Sequence, residues 1–330
     1  MLRTPVCDLL GIEYPIALGG MGSVFAPDLV AAVSNAGGLG TLGGSNLSPE
    51  QIHNAVADIR SKTSKPFGLN FLIFNMHEDR FAAALRERPA VIAFAWPRAD
   101  QDLKTLVARA HDVGAKVTFM IGGVREALRA RDAGADVIVA QGTEGGSHVG
   151  LQASLPLVPM VVDAVTPTPV LSAGGIADGR GLAAALALGA DGVLLGTRFL
   201  ASVESPLHAN FKQAIVESDG HDTVLSEIPD LASGEVWPGA LSRTRRNRFI
   251  EHWAGREWAI RQNQAEVLAA VKAARARGDA DEAPLAFGQD AGLIHDIPPA
   301  GEIVARMVRE AEEILSTKLA RYVGESKAKS

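Results

Sequence analysis

The sequence predicts an α/β fold: a (β/α)8 TIM barrel with a small helical insertion after strand eight. Three observations predict it. Short apolar runs recur at steps of 21 to 32 residues over the first two hundred residues. The runs are apolar throughout rather than alternating, which is typical of parallel strands that are covered on both faces. Residues 133–143 (AGADVIVAQGT) are also echoed by residues 188–197 (LGADGVLLGT), and a recurring αβ unit is what a barrel requires.

The barrel strands can be placed one by one from these apolar runs. They begin at Pro15, Leu39, Phe67, Val91, Lys116, Val137, Pro169 and Val193. The competing fold, a doubly wound sheet, usually has fewer strands and carries a dinucleotide fingerprint after strand one. Residues 19–24 read GGMGSV, which lacks the G-x-G-x-x-G spacing, and no acidic partner follows about 20 residues later. The barrel is therefore the preferred fold.

The helices between the strands carry their own start and stop signals. Asp178 is placed to cap the helix after strand seven, because its side chain can accept hydrogen bonds from the first free N–H groups. Pro298 and Pro299 open a last amphipathic helix over residues 301–322. Four helices end in a glycine where the chain needs a left-handed residue. These glycines are Gly37, Gly114, Gly134 and Gly189.

The repeat stops after Phe199, and residues 201–290 contain no clear strand. Such a stretch is too long for an ordinary loop, so it predicts an insertion of helices that covers the C-terminal mouth of the barrel. The expected helices cover residues 206–218 and 248–274. The basic run at 243–248 is expected on a solvated helix or at a subunit contact, and a site for the phosphate of a pyridine nucleotide is the alternative. We therefore predict two domains. They are a barrel domain of residues 1–200 and 287–330, and a helical substrate or lid domain of residues 201–286.

Composition limits the kinds of partner that the protein can have. The 330 residues carry a net charge of −6 and the pI is about 5.8, which argues against a broad nucleic-acid surface. Cys7 is the single cysteine, so no intrachain disulfide can form, as suits a reducing cytosol. No apolar run reaches the roughly 18 residues of a membrane helix, and the N-terminus has no signal core. We expect a cytoplasmic protein that binds neither nucleic acid nor membrane; a homodimer is left open.

One stretch, residues 137–150, carries most of the chemical signal. It reads VIVAQGTEGGSHVG, a buried strand that ends in a glycine-rich loop holding Glu144 and His148. Glycines such as Gly146 let a backbone approach a flat cofactor closely or take a positive φ. Histidine is the side chain whose ordinary pKa lies nearest neutrality, so it suits proton transfer. A tight turn with a surface histidine is the alternative.

Two further glycine-rich loops follow strands seven and eight, where barrels of this kind often bind a phosphate. Backbone N–H groups in such loops can be offered to an anion where a helix begins. The alternative is that these glycines only make tight turns. The residues expected at the phosphate are Ala173, Gly174, Gly175, Gly196 and Thr197.

Residues at the other strand ends could bind a flat ring system. Gly20 and Met21 follow strand one, Asn70 ends strand three and Gln141 ends strand six. The two amides could donate and accept hydrogen bonds along the edge of the ring, and ordinary capping of a strand end is an equal alternative for each. Met120, at the end of strand five, is expected in the core.

Six motifs occur in the order found in one known family. GGMG, GLNF, AQGTEGGSHVG, LSAGGIADGRG, LGADGVLLGTRF and GQDAGL together resemble the nitronate monooxygenases, FMN-dependent barrels formerly called 2-nitropropane dioxygenases. The resemblance covers about residues 12–200 and 287–320. Members commonly read E-A-G-G-H where this chain reads E-G-G-S-H at 144–148, and some have a lysine in the place of Met120.

The resemblance implies an FMN cofactor in the barrel domain, with its phosphate on the loops after strands seven and eight. It implies that the loop around Gly146 crosses the flavin, and His148 matches the family's histidine that acts on the substrate beside flavin N5. The late QDAGL turn would close the site through Gln289 and Gly292. The isoalloxazine contacts that it implies are Gly20, Met21, Asn70 and Gln141.

Two activities fit this set of residues. The leading hypothesis is oxidation of alkyl nitronates with dioxygen to carbonyl compounds and nitrite, in which His148 positions the anionic nitro group or acts as a base toward neutral nitroalkanes. The alternative is an FMN-dependent, NAD(P)H-driven reductase of an enoyl thioester or quinone, because FMN barrels that resemble this chain include such enzymes and function depends on the site rather than the fold. A non-catalytic flavin binder is a third hypothesis, which the pairing of the histidine with the phosphate loops disfavours.

Overall fold

The structure, a computed structural model, describes residues 2–21 and 24–322. Strands and helices alternate along most of these residues. The strands are β1 (Ile16–Leu18), β2 (Gly40–Gly43), β3 (Phe67–Leu72), β4 (Val91–Ala95), β5 (Lys116–Ile121), β6 (Val137–Gln141), β7 (Ser147–Val149), β8 (Val170–Ala173), β9 (Gly192–Leu195), β10 (Thr223–Ser226) and β11 (Leu241–Arg245). The helices are α1 (Pro5–Leu10), α2 (Pro27–Asn35), α3 (Pro49–Lys62), α4 (Glu78–Arg86), α5 (Leu103–Asp112), α6 (Val124–Asp132), α7 (Ser154–Val165), α8 (Gly179–Ala187), α9 (Thr197–Leu200), α10 (Ala209–Val216), α11 (Ile228–Ser233), α12 (Arg248–Trp253), α13 (Glu257–Gln262), α14 (Gln264–Ala276) and α15 (Ala300–Glu313).

Eight of the strands form a parallel sheet in the order β1-β9-β8-β6-β5-β4-β3-β2. The two ends of this sheet meet, because Leu18 N–H donates to Leu39 O at 2.8 Å and Leu39 N–H donates to Ile16 O at 2.9 Å. Every barrel strand predicted from the sequence is present and begins within one residue of its predicted start. The fold is the predicted TIM barrel.

The barrel strands are buried along their length, which explains why their sequences are apolar throughout. Four phenylalanines from β3, α4, β4 and β5 form a row in the core: Phe71, Phe81, Phe94 and Phe119. Neighbouring ring centroids in this row lie 5.6 to 6.0 Å apart. Burying each such side chain stabilises the fold by about 1.5–3 kcal/mol. The last helix, α15, packs on α8 and α2, on the outside of the barrel.

The predicted cap at Asp178 and the four predicted glycine stops are confirmed, whereas the last helix, predicted over 301–322, is α-helical only over Ala300–Glu313 and continues as a π turn and a 3-10 turn. Asp178 caps α8, because its Oδ1 accepts hydrogen bonds from the N–H groups of Arg180 at 2.9 Å and Gly181 at 3.3 Å. No helix within residues 2–21 and 24–322 is long and apolar enough to cross a membrane. The predicted left-handed glycines have φ between +84° and +99°: Gly37, Gly114, Gly134 and Gly189.

The segment after the barrel strands contains short strands as well as helices, so the prediction that it holds no strand was wrong. β10 and β11 pair with each other, and β11 also pairs with β7 to make an antiparallel three-stranded sheet. The helix predicted over 248–274 is three helices, α12, α13 and α14, interrupted at Ala254 and Asn263. The division of the chain into two domains stays a prediction.

The basic run at 243–248 lies on β11 and at the start of α12 rather than on a solvated helix. Arg243 is buried, and its Nε donates to Thr143 O at 2.9 Å while its Nη1 donates to Thr223 Oγ1 at 3.1 Å. Arg245 pairs with Asp222 at 3.1 Å. The sequence predicts that these arginines are exposed to solvent, because the residues that pair with them lie far away along the chain. Their hydrogen bonds fix β11 against β10 and against the loop after β6.

Candidate active site

A cavity of about 540 Å³ opens at the carboxyl ends of the barrel strands and is also lined by residues 207–286. TIM barrels hold their sites at this end, and a cavity of this size can bury a ligand of cofactor dimensions. Its walls bring together ten residues that the sequence singles out. They are Gly20, Met21, Gln141, Gly146, His148, Ala173, Gly174, Gly175, Gly196 and Thr197.

Three other predicted site residues lie outside the lining of this cavity. Asn70 is buried beneath Gly20 and lines a separate cavity of about 30 Å³ inside the barrel, where its Nδ2 donates to a carbonyl of β4 at 3.3 Å. Gln289 is exposed, and its N–H donates to Glu144 O at 2.9 Å. Gly292 lies against the backbone at 219–220. A cofactor contact by these three residues stays a prediction.

Asp290, which the sequence did not single out, is the residue of the QDAGL turn that lines the cavity. It is buried beside Thr197. Burial raises the pKa of Asp290 to about 7, and the Thr197 hydroxyl and the Arg198 guanidinium limit the rise. A carboxyl group with such a pKa is protonated in weakly acidic solution. In that form it can donate a hydrogen bond, which a carboxylate cannot do.

The glycines of the predicted phosphate loops are needed for two different reasons: backbone conformation at some positions and space for a ligand at another. Gly174 and Gly175 have φ of +91° and +74°, where any side chain is strained. A Cβ on Gly174 would also lie 3.0 Å from Gly145 N. Gly196 has φ of −113°, and a Cβ there would meet no atom within 4 Å. Gly196 therefore faces open cavity, so that its lack of a side chain leaves room for a ligand.

The loop after β6 is held by contacts with the rest of the site. A Cβ on Gly146 would lie 2.5 Å from the carbonyl carbon of Phe287, so close packing of two backbones requires glycine there. The Glu144 carboxylate accepts from Ser154 N–H at 3.0 Å. Glu144 therefore anchors the loop, while Gly146 lets it pack on the segment that leads to the QDAGL turn.

Gln141 has an unmet hydrogen bond in the cavity wall. Its Oε1 is buried, and no protein group of the described residues bonds to it. Leaving a buried acceptor without a partner costs about 1–3 kcal/mol. A ligand N–H at this position would remove that cost, which fits the expectation that Gln141 binds the edge of a ring.

His148 lies in the cavity wall with its ring held on two sides. Its Nε2 is 2.8 Å from Asp230 Oδ1, and the two side chains are only 12% and 11% exposed. The ring stacks on Trp237, with centroids 3.3 Å apart and planes 8° from parallel. Nδ1 is 3.2 Å from Ser147 Oγ. This histidine is a fixed part of the site and does not lie on the surface of a simple turn.

The partners of His148 come from the segment after the barrel and were missed in the sequence. His148 lies on β7, opposite Ser242 of β11, and Ser147 before it has φ of +63°. Asp230 lies on α11, 82 residues away along the chain. Trp237 is visible in the sequence as one of four tryptophans, but no local pattern links it to a histidine in another loop.

Trp237 joins the segment after the barrel to the barrel loops. Its ring lies 4.7 Å from that of Phe74 and 6.1 Å from that of Trp96, which follow β3 and β4. Trp96 has φ of +55°, an unusual value for a bulky residue. Backbone strain of this kind persists where the surroundings hold it, commonly at functional sites. Trp96 and Trp237 therefore form an aromatic part of the cavity wall beside His148.

The barrel, its cavity at the strand ends, and a carboxylate-paired histidine facing glycine-rich loops define a TIM-barrel enzyme with a ligand site in the usual place. A family model described as nitronate monooxygenase matches residues 3–87 and 74–310. The chain belongs to the nitronate monooxygenase family, and it is a flavin-dependent oxidoreductase.

The proteins to which this chain is similar are named for more than one reaction. It is 34% identical over 351 residues to (3aS,4S,5R,7aS)-5-hydroxy-7a-methyl-1-oxo-octahydro-1H-indene-4-carboxyl-CoA dehydrogenase of Mycobacterium tuberculosis, covering 96% of this chain and 98% of the relative. It resembles the structure of FabK from Thermotoga maritima with a TM-score of 0.87 and 35% identity, over 98% of this chain and 100% of that one. It also resembles a nitroalkane oxidase from Streptomyces ansochromogenes with a TM-score of 0.80 and 27% identity, over 95% and 99% of the two chains.

Proposed function

We propose that the protein binds FMN in the large cavity and oxidises alkyl nitronates with dioxygen to carbonyl compounds and nitrite. The observation that carries this proposal is the position of His148, paired with Asp230 and stacked on Trp237 in the cavity that the glycine-rich loops also line. A histidine held in this way can bind an anionic oxygen or take a proton from carbon. Membership of the family supports the choice of substrate.

The cavity residues fit FMN at both of its ends. Backbone groups of Gly174, Gly175 and Gly196 would bind the phosphate, and Asp290, in the protonated form that dominates below its pKa of about 7, would donate to the phosphate rather than repel it. Gln141 would bind the ring edge, because its Oε1 needs an N–H donor. Bound FMN would supply the redox chemistry, taking electrons from the substrate and passing them to dioxygen.

His148 would act on the substrate through the nitrogen that Asp230 leaves free. In neutral His148, the hydrogen bond to Asp230 favours a proton on Nε2, so Nδ1 carries the lone pair, and the Ser147 hydroxyl that lies 3.2 Å from Nδ1 would turn away when the substrate binds. That lone pair can take the α-proton of a neutral nitroalkane, and the Asp230 carboxylate then stabilises the imidazolium. The imidazolium can in turn donate to a nitronate oxygen. The stacked Trp237 keeps the ring in one orientation and excludes water from one of its faces.

A second candidate function is NAD(P)H-driven reduction of an enoyl thioester or quinone. The observation that favours it is that Leu268, Val271 and Lys272 of α14 also line the cavity. Apolar side chains together with an ammonium group suit a larger substrate that carries an anionic group better than a small nitronate. The relative from M. tuberculosis is named for a bulky CoA thioester.

Anaerobic mixing of the purified holoenzyme tests the proposal. Propyl-2-nitronate should bleach the flavin absorbance, and turnover in air should release nitrite. Bleaching by NADPH or NADH together with no bleaching by the nitronate would reject nitronate oxidation in favour of the reductase. Protein that purifies without colour and takes up no FMN would reject both candidates.

A further inference from the structure

One polar side chain in the cavity wall has no role in the function proposed above. Among the described residues, three side-chain atoms are buried and lack a protein partner: Gln141 Oε1, Arg198 Nε and Asn75 Oδ1. Gln141 is accounted for by the flavin ring, and Arg198 lies outside the cavity lining. Asn75 lines the cavity, and its amide makes no hydrogen bond to the described protein. It is therefore placed to bind a ligand.

Asn75 is held in a fixed position by its neighbours. It ends a short 3-10 turn, Ile73–Asn75, directly after β3. Gln101 Nε2 donates to Ile73 O at 2.8 Å, and Phe74 N–H donates to Trp96 O at 3.1 Å. These bonds hold the backbone of the turn that carries Asn75.

The turn places Asn75 at the histidine end of the cavity. Phe74, its neighbour in the chain, contacts Trp237, which in turn stacks on His148. Leu72, Trp96 and Trp237 provide apolar surface in the same part of the wall. Hydrogen bonds gain strength in such surroundings, and unmet ones become more costly.

The chemistry of the side chain indicates what it binds. A carboxamide has one acceptor oxygen and two N–H donors. Alkyl nitronates offer acceptor oxygens only, so they cannot satisfy the buried Oδ1. A primary carboxamide can do both through one group, because its N–H donates to Oδ1 and its carbonyl accepts from Nδ2. Two neighbouring secondary amides can also do both, one donating its N–H to Oδ1 and the other accepting from Nδ2 through its carbonyl.

We propose that Asn75 binds a carboxamide of a second ligand of this cavity, an inference that rests on the reductase candidate. Two ligands of such an enzyme carry that group. One is an acyl thioester, whose pantetheine arm contains two amides. The other is a nicotinamide dinucleotide, whose ring carries a primary carboxamide. Asn75 is a specificity residue that distinguishes these ligands from simple nitronates.

The test measures binding of unreactive ligands to the holoenzyme, so it does not depend on turnover. Acetyl-pantetheine, NAD⁺ and NADP⁺ are titrated separately, and the shift in flavin absorbance gives each Kd. Asn75→Leu removes the amide but keeps the volume. It should weaken at least one of these ligands by about tenfold or more, because two hydrogen bonds are lost. The thermal midpoint should stay equal or rise, because the buried Oδ1 that lacks a partner is removed.

A matched variant separates ligand binding from a structural role. Asn247 is also a buried amide, but its Nδ2 donates to Ala280 O at 2.9 Å and Ala283 O at 2.7 Å, outside the cavity lining. Asn247→Leu should lower the thermal midpoint and leave each Kd within twofold.

The possible outcomes distinguish the two ligands from each other and include results that would overturn the proposal. A loss of affinity for acetyl-pantetheine alone assigns the site to thioesters, and a loss for NAD⁺ or NADP⁺ alone assigns it to the nicotinamide. Wild-type protein that binds none of the three, or Asn75→Leu that keeps every Kd, overturns the proposal. If Asn75→Leu does not fold, Asn75→Ala is measured in the same way, with the same outcome required. A wild type that releases no nitrite bears on the nitronate proposal alone.

Discussion

The two ends of the cavity are built in different ways. The phosphate end, where we propose that the FMN phosphate binds, consists of short loops that directly follow β8 and β9 and contain Gly174 and Gly196. The histidine end joins residues from separate parts of the chain: His148 on β7, Asp230 on α11 and Trp237 after it. The loops of the phosphate end are part of the repeated βα unit, whereas the histidine end forms only when distant segments of the chain come together. Cofactor binding and substrate handling are therefore expected to respond to different mutations.

The largest effect should come from His148→Ala, and it should be confined to turnover. Loss of a general base typically costs about 10²- to 10⁴-fold, so kcat/KM on neutral nitroalkanes should fall by that factor while the flavin stays bound. Activity on propyl-2-nitronate should fall less, since that substrate is already deprotonated. His148→Asn should recover part of the nitronate activity, because an amide still donates. Equal losses on both substrates, with flavin retained, would leave positioning as the only role.

Asp290→Asn tests the phosphate end through the pH dependence of stability. The pKa of Asp290 is raised from 3.8 to about 7 by burial, so between these values the folded protein keeps a proton that the unfolded chain has lost. The free energy of unfolding of the wild type should therefore fall as pH rises through this window and level off above it. The fall, relative to the variant, should be at most roughly 4 kcal/mol. Urea unfolding at a series of pH values measures it, and parallel curves for the two proteins would contradict it.

Asp230→Asn should show how much of the histidine end depends on the charge of the second segment. The amide can still bond to His148 but no longer stabilises an imidazolium. Hydrogen bonds to charged groups contribute about 1.5–3 kcal/mol, so kcat on nitroalkanes should drop roughly 10- to 100-fold. The flavin spectrum should not change. A loss of flavin in this variant would mean that the two ends of the cavity are not independent.

Gly196→Val gives the smallest and cleanest change at the phosphate end. A Cβ at this position meets no atom within 4 Å, so the variant should fold normally and crowd only the cofactor. The Kd for FMN should rise by about tenfold, the cost of one lost hydrogen bond to a charged group. Gly301→Val is the control, since its nearest contact would be Ala36 Cβ at 3.7 Å, away from the cavity. Equal FMN affinity in both variants would place the phosphate elsewhere.

The barrel and the positions of the glycine-rich loops after β8 and β9 could be predicted because their signals are local. Each strand is an apolar run of about the right length, and helix ends such as Gly134 and Asp178 depend on residues within one turn. The partners of His148 could not be predicted in this way. β11 reads LSRTR, a sequence without an apolar strand pattern. Its Arg243 can be buried only because Thr143 and Thr223, from other segments, accept its hydrogen bonds.

Asp290 and Asn75 show the same limit at the scale of single residues. The sequence pointed to Gln289 and Gly292 in the late turn, but it is Asp290 that lines the cavity. Whether a side chain in a 3-10 turn faces solvent or cavity depends on packing that local spacing does not encode. The missing hydrogen bond of Asn75 could likewise be recognised only after all its neighbours were known.

The three-stranded sheet has a consequence for the evolution and engineering of this scaffold. β7 belongs to a barrel loop, yet it forms its hydrogen bonds with β11, which lies beyond the last barrel strand. Transplanting the loop alone into another barrel would leave His148 without the strand that orients it, and exchanging the later segment alone would remove Asp230 and Trp237. Grafting experiments, and natural recombination, are therefore expected to succeed when both pieces move together as one cassette.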